Sequence, residues 1–289
     1  MTPLKIATRG SRLARVQSEW VARMLLEKAG IEAELHIVST EGDRDQNTSL
    51  ARMSTPGVFT REVEKALFDG VADIAVHSMK DLPVENRASG AIELMLAAVP
   101  EREDPRDVFV PSARRAGSTL SSLPDKARVA TSSPRRMAFL RACRPDIEIV
   151  PIRGNVDTRL RKIDEGLADG LICAAAGLRR MGIDRERESL AFEIFPSAPA
   201  QGALAIQVAR KDVAEKVRVL DHEPSRRAAD AERKILAAMG GGCHLALGAI
   251  VLPGWRIVAA ADIGGRFRRC DVLSPDLDEA VERAVAELR

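Results

Sequence analysis

Residues 72–83 read ADIAVHSMKDLP, and this stretch decides the fold class of the chain. Its apolar run, residues 74–76, is typical of a strand that lies buried in a parallel sheet. The stretch turns polar at residue 77, and a proline then ends its regular structure. Because open α/β sheets bind ligands beyond the carboxyl ends of their strands, Lys80 and Asp81 lie where a site is expected. Taken alone, the pair fits a solvated turn equally well.

Strands and helices alternate on both sides of this stretch, which predicts an α/β fold. A strand over 4–8 leads into a helix that ends at Gly30, and a second α/β unit begins near Val108. The polar segment 40–56 is long enough to act as a lid. Three strands and a final helix near the end predict a small α+β domain. The predicted domains are 1–98 with 198–216, then 103–194, then 220–289, with crossovers at 101–106 (EREDPR) and 196–202 (PSAPAQG).

The composition is that of a globular protein. The chain has 289 residues, of which 45% are apolar, and its formal net charge of +2 gives no signal for nucleic-acid binding. Aromatic residues make up 3% and tyrosine is absent, which disfavours the stacking of bases on aromatic side chains. The sequence starts without a signal-peptide pattern, and no apolar run approaches the roughly 18 residues of a membrane span. We therefore expect a cytoplasmic monomer that binds neither nucleic acid nor membrane.

The four cysteines include no CxxC pair and no spacing typical of zinc ligands, so we expect no metal site. Cys143, Cys173 and Cys270 are interpreted as thiols that pack in the structure. Cys243 differs because it follows three glycines, which let the backbone approach a ligand and suit its thiol to covalent chemistry. Its neighbour His244 would suggest a Cys-His hydrolase, but nucleophile and base normally come from separate elements. A free cysteine in a helix-terminating loop is the remaining alternative.

Three predicted strand ends carry arginine beside small or hydroxyl residues and pass into a helix. They are residues 8–11 (TRGS), residues 131–136 (TSSPRR), and residues 153–155 (RGN) with Arg159 one turn later. A helix N-terminus attracts anions, and the arginine fork matches carboxylate or phosphate oxygens. Three such turns predict a cleft for a polyanion. No phosphate-binding loop accompanies them, so a polycarboxylate fits at least as well as a nucleotide.

Eight stretches are long and specific enough to compare with a known family. They are ATRGS (7–11), ADIAVHSMKDLP (72–83), EREDPRDVFV (101–110), ATSSPRR (130–136), IRGNVDTRL (152–160), AGLRRMG (176–182), AQGALAI (200–206) and GGGCH (240–244). In this order they resemble the porphobilinogen deaminase (hydroxymethylbilane synthase) family along almost the whole chain. The C-terminal domain resembles the family least.

The resemblance implies two lobes like those of periplasmic binding proteins with a cleft between them, plus a small α+β domain that presents the cofactor. The implied cofactor is dipyrromethane, attached to Cys243 by a thioether. The implied reaction joins four porphobilinogen molecules head to tail on this primer, each with loss of ammonia. Water then releases the linear tetrapyrrole used in haem biosynthesis.

The resemblance also assigns residues. Asp81 matches the catalytic aspartate, whose anionic side chain stabilises the cationic ring left when ammonia departs. Substrate and growing chain would bind Arg9, Gln17, Arg153, Arg159 and Arg180. The cofactor would bind Cys243, Arg9, Ser11, Ser78, Lys80, Asp81, Thr131, Ser132, Ser133, Arg135, Arg136 and Gly154. The lid loop would contribute Arg52 and Phe59.

The sequence departs from the family pattern at three places. Arg52 and Pro56 stand in the lid loop where two lysines are common, Ala200 stands where glycine is usual, and Leu245-Ala246 replaces an ending in proline. We expect activity with altered chain elongation. The alternative is a two-lobed anion-binding protein without catalysis, which would share the fold and the arginines but not the glycine-cysteine loop.

Overall fold

The protein is described by a computed structural model over residues 2–38, 60–84, 88–89, 92–241 and 245–289. Contacts group the chain into two units. The first unit comprises Met1–Glu103 and Ala203–Arg227, and the second comprises Asp104–Gly202 and Ala228–Arg289. The division into three domains that the sequence predicts is finer than this grouping and stays a prediction.

The described strands are short, as expected for an α/β protein. They are β1 (Leu4–Arg9), β2 (Ala33–Val38), β3 (Ile74–Ser78), β4 (Ala88–Ser89), β5 (Ile92–Glu93), β6 (Met95–Ala98), β7 (Asp107–Pro111), β8 (Arg128–Ala130), β9 (Glu148–Val150), β10 (Gly170–Ala174), β11 (Glu188–Ser189), β12 (Leu204–Val208), β13 (Ala246–Leu252), β14 (Arg256–Ile263) and β15 (Arg266–Leu273).

The described helices separate these strands. They are α1 (Arg12–Ala29), α2 (Arg61–Phe68), α3 (Pro134–Cys143), α4 (Val156–Asp164), α5 (Ala175–Arg180), α6 (Lys211–Val217), α7 (Glu223–Ala238) and α8 (Leu277–Leu288). No helix within the described ranges is long and apolar enough to cross a membrane.

The first unit is built on a sheet with the strand order β2-β1-β3-β12-β6. β1 runs parallel to β2 and β3, whereas β12 runs antiparallel to β3. Val21 and Leu25 of α1 are fully buried in one cluster with Ile6 and Ile74 of the sheet. Gly30 ends α1 in the left-handed conformation with φ 64°, as its position after the apolar stripe predicts.

The second unit contains a sheet with the order β11-β7-β10-β8-β9. β8 runs parallel to both β9 and β10, and β7 runs antiparallel to β10. α3 begins at the N-cap Ser133 with Pro134 in its first turn, the start that the sequence predicts. The two mixed sheets confirm the predicted α/β class.

The C-terminal part of the second unit is a three-stranded antiparallel sheet, β13-β14-β15, with α7 and α8 on one face. Its other face packs on α3, where the Phe139 ring lies 5.7 Å from that of Phe195 and 5.5 Å from that of Phe267. Ala260 of β14 is fully buried in the same cluster. The predicted small α+β domain is therefore confirmed, and both faces of its sheet are covered.

Candidate active site

The carboxyl ends of β1 and β3 lie side by side in the first unit because the two strands are parallel neighbours. β1 ends at Arg9, and β3 ends at Ser78, which leads into a single helical turn, Met79–Asp81. The Met79 amide donates to the Ala203 carbonyl at 3.0 Å, and its side chain is fully buried. Anchored by this methionine, the turn leaves Asp81 exposed at the end of the strand.

Gln17 and Ser78, both assigned to the site by the resemblance, meet in the first unit. Gln17 lies on α1 with 4% of its surface exposed, and its Nε2 donates to the Ser78 hydroxyl at 3.1 Å. Ser11 caps the same helix by accepting the Ala14 amide at 3.4 Å. The helix that follows β1 is thus held against the end of β3, beside Lys80 and Asp81.

The carboxyl ends of β8, β9 and β10 lie together in the second unit, since these strands are parallel. The Ser132 hydroxyl donates to the Ile152 carbonyl at 2.7 Å and accepts the Ile152 amide at 2.8 Å. This exchange ties the loop after β8 to the loop after β9. The Thr131 hydroxyl accepts the Ser133 amide at 3.3 Å. The hydroxyl groups of Thr131 and Ser132, both predicted site residues, thus shape the backbone that leads into α3.

The loop after β9 is shaped by a glycine. Gly154 has a φ of 109°, and a Cβ at this position would lie 2.9 Å from the Thr158 Cγ2 atom. Arg159 of α4 reaches back so that its Nε donates to the Gly154 carbonyl at 2.7 Å. Arg153 is half-buried at the same edge of the sheet. Arg180, at the end of the helix after β10, donates from Nη2 to the Gly202 carbonyl at 2.7 Å.

Arg135 and Arg136 point into the second unit, where 5% and 7% of their surfaces are exposed. Both pair with Asp107, the first residue of β7, whose side chain is fully buried. Arg135 Nη1 lies 2.7 Å from Asp107 Oδ2, and Arg136 Nη2 donates to Oδ1 at 2.7 Å. Gln201 also donates to Oδ1, at 3.0 Å.

Burial alone would raise the pKa of Asp107, but the two guanidinium groups outweigh it and hold the pKa of this carboxyl well below its ordinary value. Asp107 is therefore ionised at neutral pH. One carboxylate faces two guanidinium groups, so the cluster keeps a net charge of about +1 under the start of α3. The carboxyl ends of β8, β9 and β10 therefore have positive charge both in the buried cluster and on the half-buried arginines at the surface.

Sequence comparisons identify the family. Residues 4–216 match the family model described as "Porphobilinogen deaminase, dipyromethane cofactor binding domain". The porphobilinogen deaminase of Albidiferax ferrireducens is 47% identical over 253 residues, which cover 86% of this chain and 78% of the relative. The chain belongs to the porphobilinogen deaminase family.

Two further relatives with the same name support this membership. The porphobilinogen deaminase of Nitratidesulfovibrio vulgaris (strain DP4) is 45% identical over 250 residues, covering 85% of this chain and 77% of the relative. The porphobilinogen deaminase of Synechococcus sp. (strain CC9902) is 42% identical over 291 residues, covering 96% of this chain and 89% of the relative.

Solved structures resemble the chain more weakly. The methionine binding protein MetQ is 13% identical with a TM-score of 0.41, over 80% of this chain and 93% of that chain. A periplasmic substrate-binding protein of an ABC transporter from Coxiella burnetii is 12% identical with a TM-score of 0.42, over 80% of this chain and 96% of that chain. The membership in the porphobilinogen deaminase family rests on the sequence matches.

Asp107 and Glu232 are buried carboxylates that the sequence did not single out. Glu232 is fully buried and accepts the Ala200 amide at 2.7 Å and the Val251 amide at 2.9 Å. It thereby ties the segment before β12 to β13. Asp107 directly precedes the apolar run 108–110. This position could have indicated a buried ion pair, because a charge at the start of a buried strand needs a partner.

Ala200, a departure from the family pattern, has a φ of 60°. Glycine, which the family resemblance predicts at this position, adopts this left-handed conformation without the steric cost of a Cβ. Three predicted site residues, Cys243, Arg52 and Phe59, lie outside the described residues, as does the predicted lid loop. Their roles stay predictions.

Proposed function

We propose that this chain is a hydroxymethylbilane synthase, a transferase that joins four porphobilinogen molecules head to tail and releases the linear tetrapyrrole by hydrolysis. The family match over residues 4–216 carries this proposal. The two sheet edges support it, because both place cations at the carboxyl ends of parallel strands. Each pyrrole ring of the substrate and product bears two carboxylates, for which the arginine fork is suited.

Dipyrromethane fits the residues at these edges. Its carboxylates match the half-buried cations Arg9 and Lys80 of the first unit. The start of α3, a helix of ten residues, adds the positive end of its dipole. When bound, the cofactor supplies the terminal pyrrole carbon at which the chain is extended. We propose that it is held by a thioether to Cys243.

Asp81 is the proposed catalytic residue. Its carboxylate is exposed on a turn whose backbone is fixed by the buried Met79, so the group is both accessible and well positioned. Departure of ammonia leaves a positive charge on the reacting ring, and a nearby carboxylate stabilises that charge. The same carboxylate can take up the proton that the ring releases when the new bond has formed.

We assign Gln17, Arg153, Arg159 and Arg180 to the incoming substrate and growing chain. Arg159 and Arg180 each use one nitrogen to bind a backbone carbonyl at the sheet edge, which orients the guanidinium plane. A planar fork fixed in this way binds a carboxylate with less loss of side-chain entropy than a mobile lysine. We also propose that the protein acts as a monomer and that it works in the cytoplasm. The free thiols of Cys143, Cys173 and Cys270 support a reducing compartment.

Intact-mass spectrometry of the purified protein tests the function. We expect a two-pyrrole adduct on the wild-type chain, its absence from Cys243→Ala, and heavier adducts one pyrrole apart after brief exposure to porphobilinogen. A wild-type chain without adduct and without turnover would instead indicate the anion-binding alternative. An adduct that persists in Cys243→Ala would disprove the attachment site.

A further inference from the structure

The buried cluster of Asp107, Arg135, Arg136 and Gln201 lies beneath the start of α3. Asp107 begins β7 and pairs in register with Ala174, the last residue of β10. Its carboxylate therefore lies at the carboxyl end of β10, the edge of the sheet to which the cofactor is assigned. The Asp107 carboxylate pairs with both Arg135 and Arg136, the two arginines at the start of α3.

Each arginine is held at more than one point. Arg135 donates from Nη1 to the Pro196 carbonyl at 2.8 Å as well as contacting Asp107. Arg136 donates from Nε and Nη2 to Asp107 Oδ1 at 3.1 and 2.7 Å, and from Nη1 to the Ile172 carbonyl at 3.2 Å. The cluster thus joins α3 to β7, β10 and the segment before β12.

Arg135 and Arg136 occupy the second and third positions of α3, directly after Pro134. The backbone amides of a first helical turn are the groups that bind an anion there, so whatever fixes these two residues also fixes the anion site. Without Asp107, two buried guanidinium groups would repel each other and move apart. The helix start would then lose its orientation toward the sheet edge.

We propose that Asp107 is a positioning residue for the cofactor. It holds Arg135 and Arg136 beneath the start of α3, so that the first turn of the helix and a net charge of about +1 face the cofactor carboxylates. Asp107 itself, being fully buried, touches neither cofactor nor substrate. The inference rests on the proposed function.

Cofactor loading of Asp107→Asn tests the role. The wild-type chain and the variants are produced in cells that make no porphobilinogen, so that each is folded but free of adduct, and intact mass gives the rate at which the two-pyrrole adduct appears once porphobilinogen is added. Circular dichroism and the melting temperature report the fold. We expect adduct formation to slow by at least about tenfold, the effect of losing one charge-assisted contact.

Asp169→Asn is the matched control. Asp169 precedes β10 at the opposite end of that strand, where it accepts Arg115 Nε and the Arg128 amide, each at 2.8 Å. Its loss should lower the melting temperature but leave adduct formation at the wild-type rate. Equal loading rates in both variants, whatever their melting temperatures, would reduce Asp107 to a structural role and overturn the proposal.

Gln201→Leu provides a milder variant in case Asp107→Asn yields no folded protein. It removes the 3.0 Å hydrogen bond to Asp107 while retaining all three charges of the cluster. We expect slower adduct formation than in Asp169→Asn, and a wild-type rate would count against the proposal. The wild-type chain separates the two hypotheses. If it gains no adduct from porphobilinogen, the proposed function fails. If it gains the adduct and all variants gain it at the same rate, only the role of Asp107 fails.

Discussion

At the residue scale, the contrast between Met79 and Asp81 explains how the site is presented. The methionine is fully buried and its amide donates to the carbonyl of Ala203, directly before β12, whereas the aspartate two residues later is exposed. A buried anchor directly before the functional group limits its motion without using the carboxylate itself. Changes at Asp81 should therefore alter chemistry and spare the fold.

Asp81→Asn tests this separation. We expect turnover of porphobilinogen to fall by about 10²–10⁴-fold, because the amide neither stabilises the cationic ring nor accepts a proton. The melting temperature should stay at the wild-type value. Asp212→Asn, which makes the same change at an exposed aspartate of α6, should leave both quantities unchanged. Wild-type turnover in Asp81→Asn would refute the catalytic role.

Gly154 gives a second prediction at this scale. Alanine there must adopt a φ of 109° and place its Cβ 2.9 Å from Thr158, so we expect Gly154→Ala to destabilise the protein by about 1–3 kcal/mol. Urea unfolding measures the loss. Adding Thr158→Ala removes the 2.9 Å contact with Cγ2 but leaves the Cβ of residue 158 at 3.1 Å and the unfavourable φ, so the double variant should recover only part of the stability. Full recovery would show that the backbone conformation carries no cost.

At the element scale, most helix and strand boundaries could be predicted, because the signals are local. The Ser133-Pro134 start of α3 and the Gly30 end of α1 are examples. The apolar run 171–176 is divided between two elements, because β10 ends at Ala174 and α5 begins at Ala175. A run of apolar residues alone does not distinguish a buried strand from a buried helix.

Long-range contacts were less predictable. The segment 101–106 is a predicted crossover, and its Asp104 accepts a hydrogen bond from Arg106 at 2.8 Å and also lies 3.4 Å from Arg179, a contact that the sequence does not indicate. Asp107, one residue later, is the centre of a buried cluster. Apart from its position before the apolar run 108–110, the sequence gives no sign that Asp107 is buried, since the partners of a buried carboxylate come from distant parts of the chain.

The small C-terminal sheet offers a prediction about packing between elements. A Cβ on Gly248 of β13 would lie 2.3 Å from the Pro196 carbonyl oxygen and 2.8 Å from the Phe139 ring. Gly248→Ala should therefore force the sheet away from α3 and destabilise the protein by about 1–3 kcal/mol. Thermal unfolding measures the effect.

Gly10→Ala is the control for Gly248→Ala, because its Cβ would make only an ordinary 3.7 Å contact with Ile37. We expect its melting temperature to stay close to wild type. A melting temperature for Gly248→Ala that equals that of the control would show that the sheet moves away from α3 at little cost.

At the scale of the whole molecule, the second unit contains four buried or partly buried aspartates whose pKa values are lowered. They are Asp104, Asp107, Asp164 and Asp169. Burial opposes ionisation at all four and is the largest single influence on the pKa at three of them, whereas at Asp164 the hydrogen bond from Arg185 is larger. Arginine partners nevertheless lower the pKa of all four. In the first unit Asp212 also has a lowered pKa, but its side chain is exposed and solvent screens it.

This distribution predicts that acid destabilises the second unit first. An aspartate with a pKa lowered by folding adds stability above its unfolded value of about 3.9, and that stability is lost as pH falls toward the folded value. Between about pH 5 and pH 3, hydrogen exchange followed by mass spectrometry should show protection falling earlier in peptides from 104–202 than in peptides from the first unit. Asp107→Asn should flatten the pH dependence, since the group that titrates is gone. Simultaneous loss of protection in both units, with the same slope in the variant, would mean that the buried cluster of arginines and Asp107 does not govern acid stability.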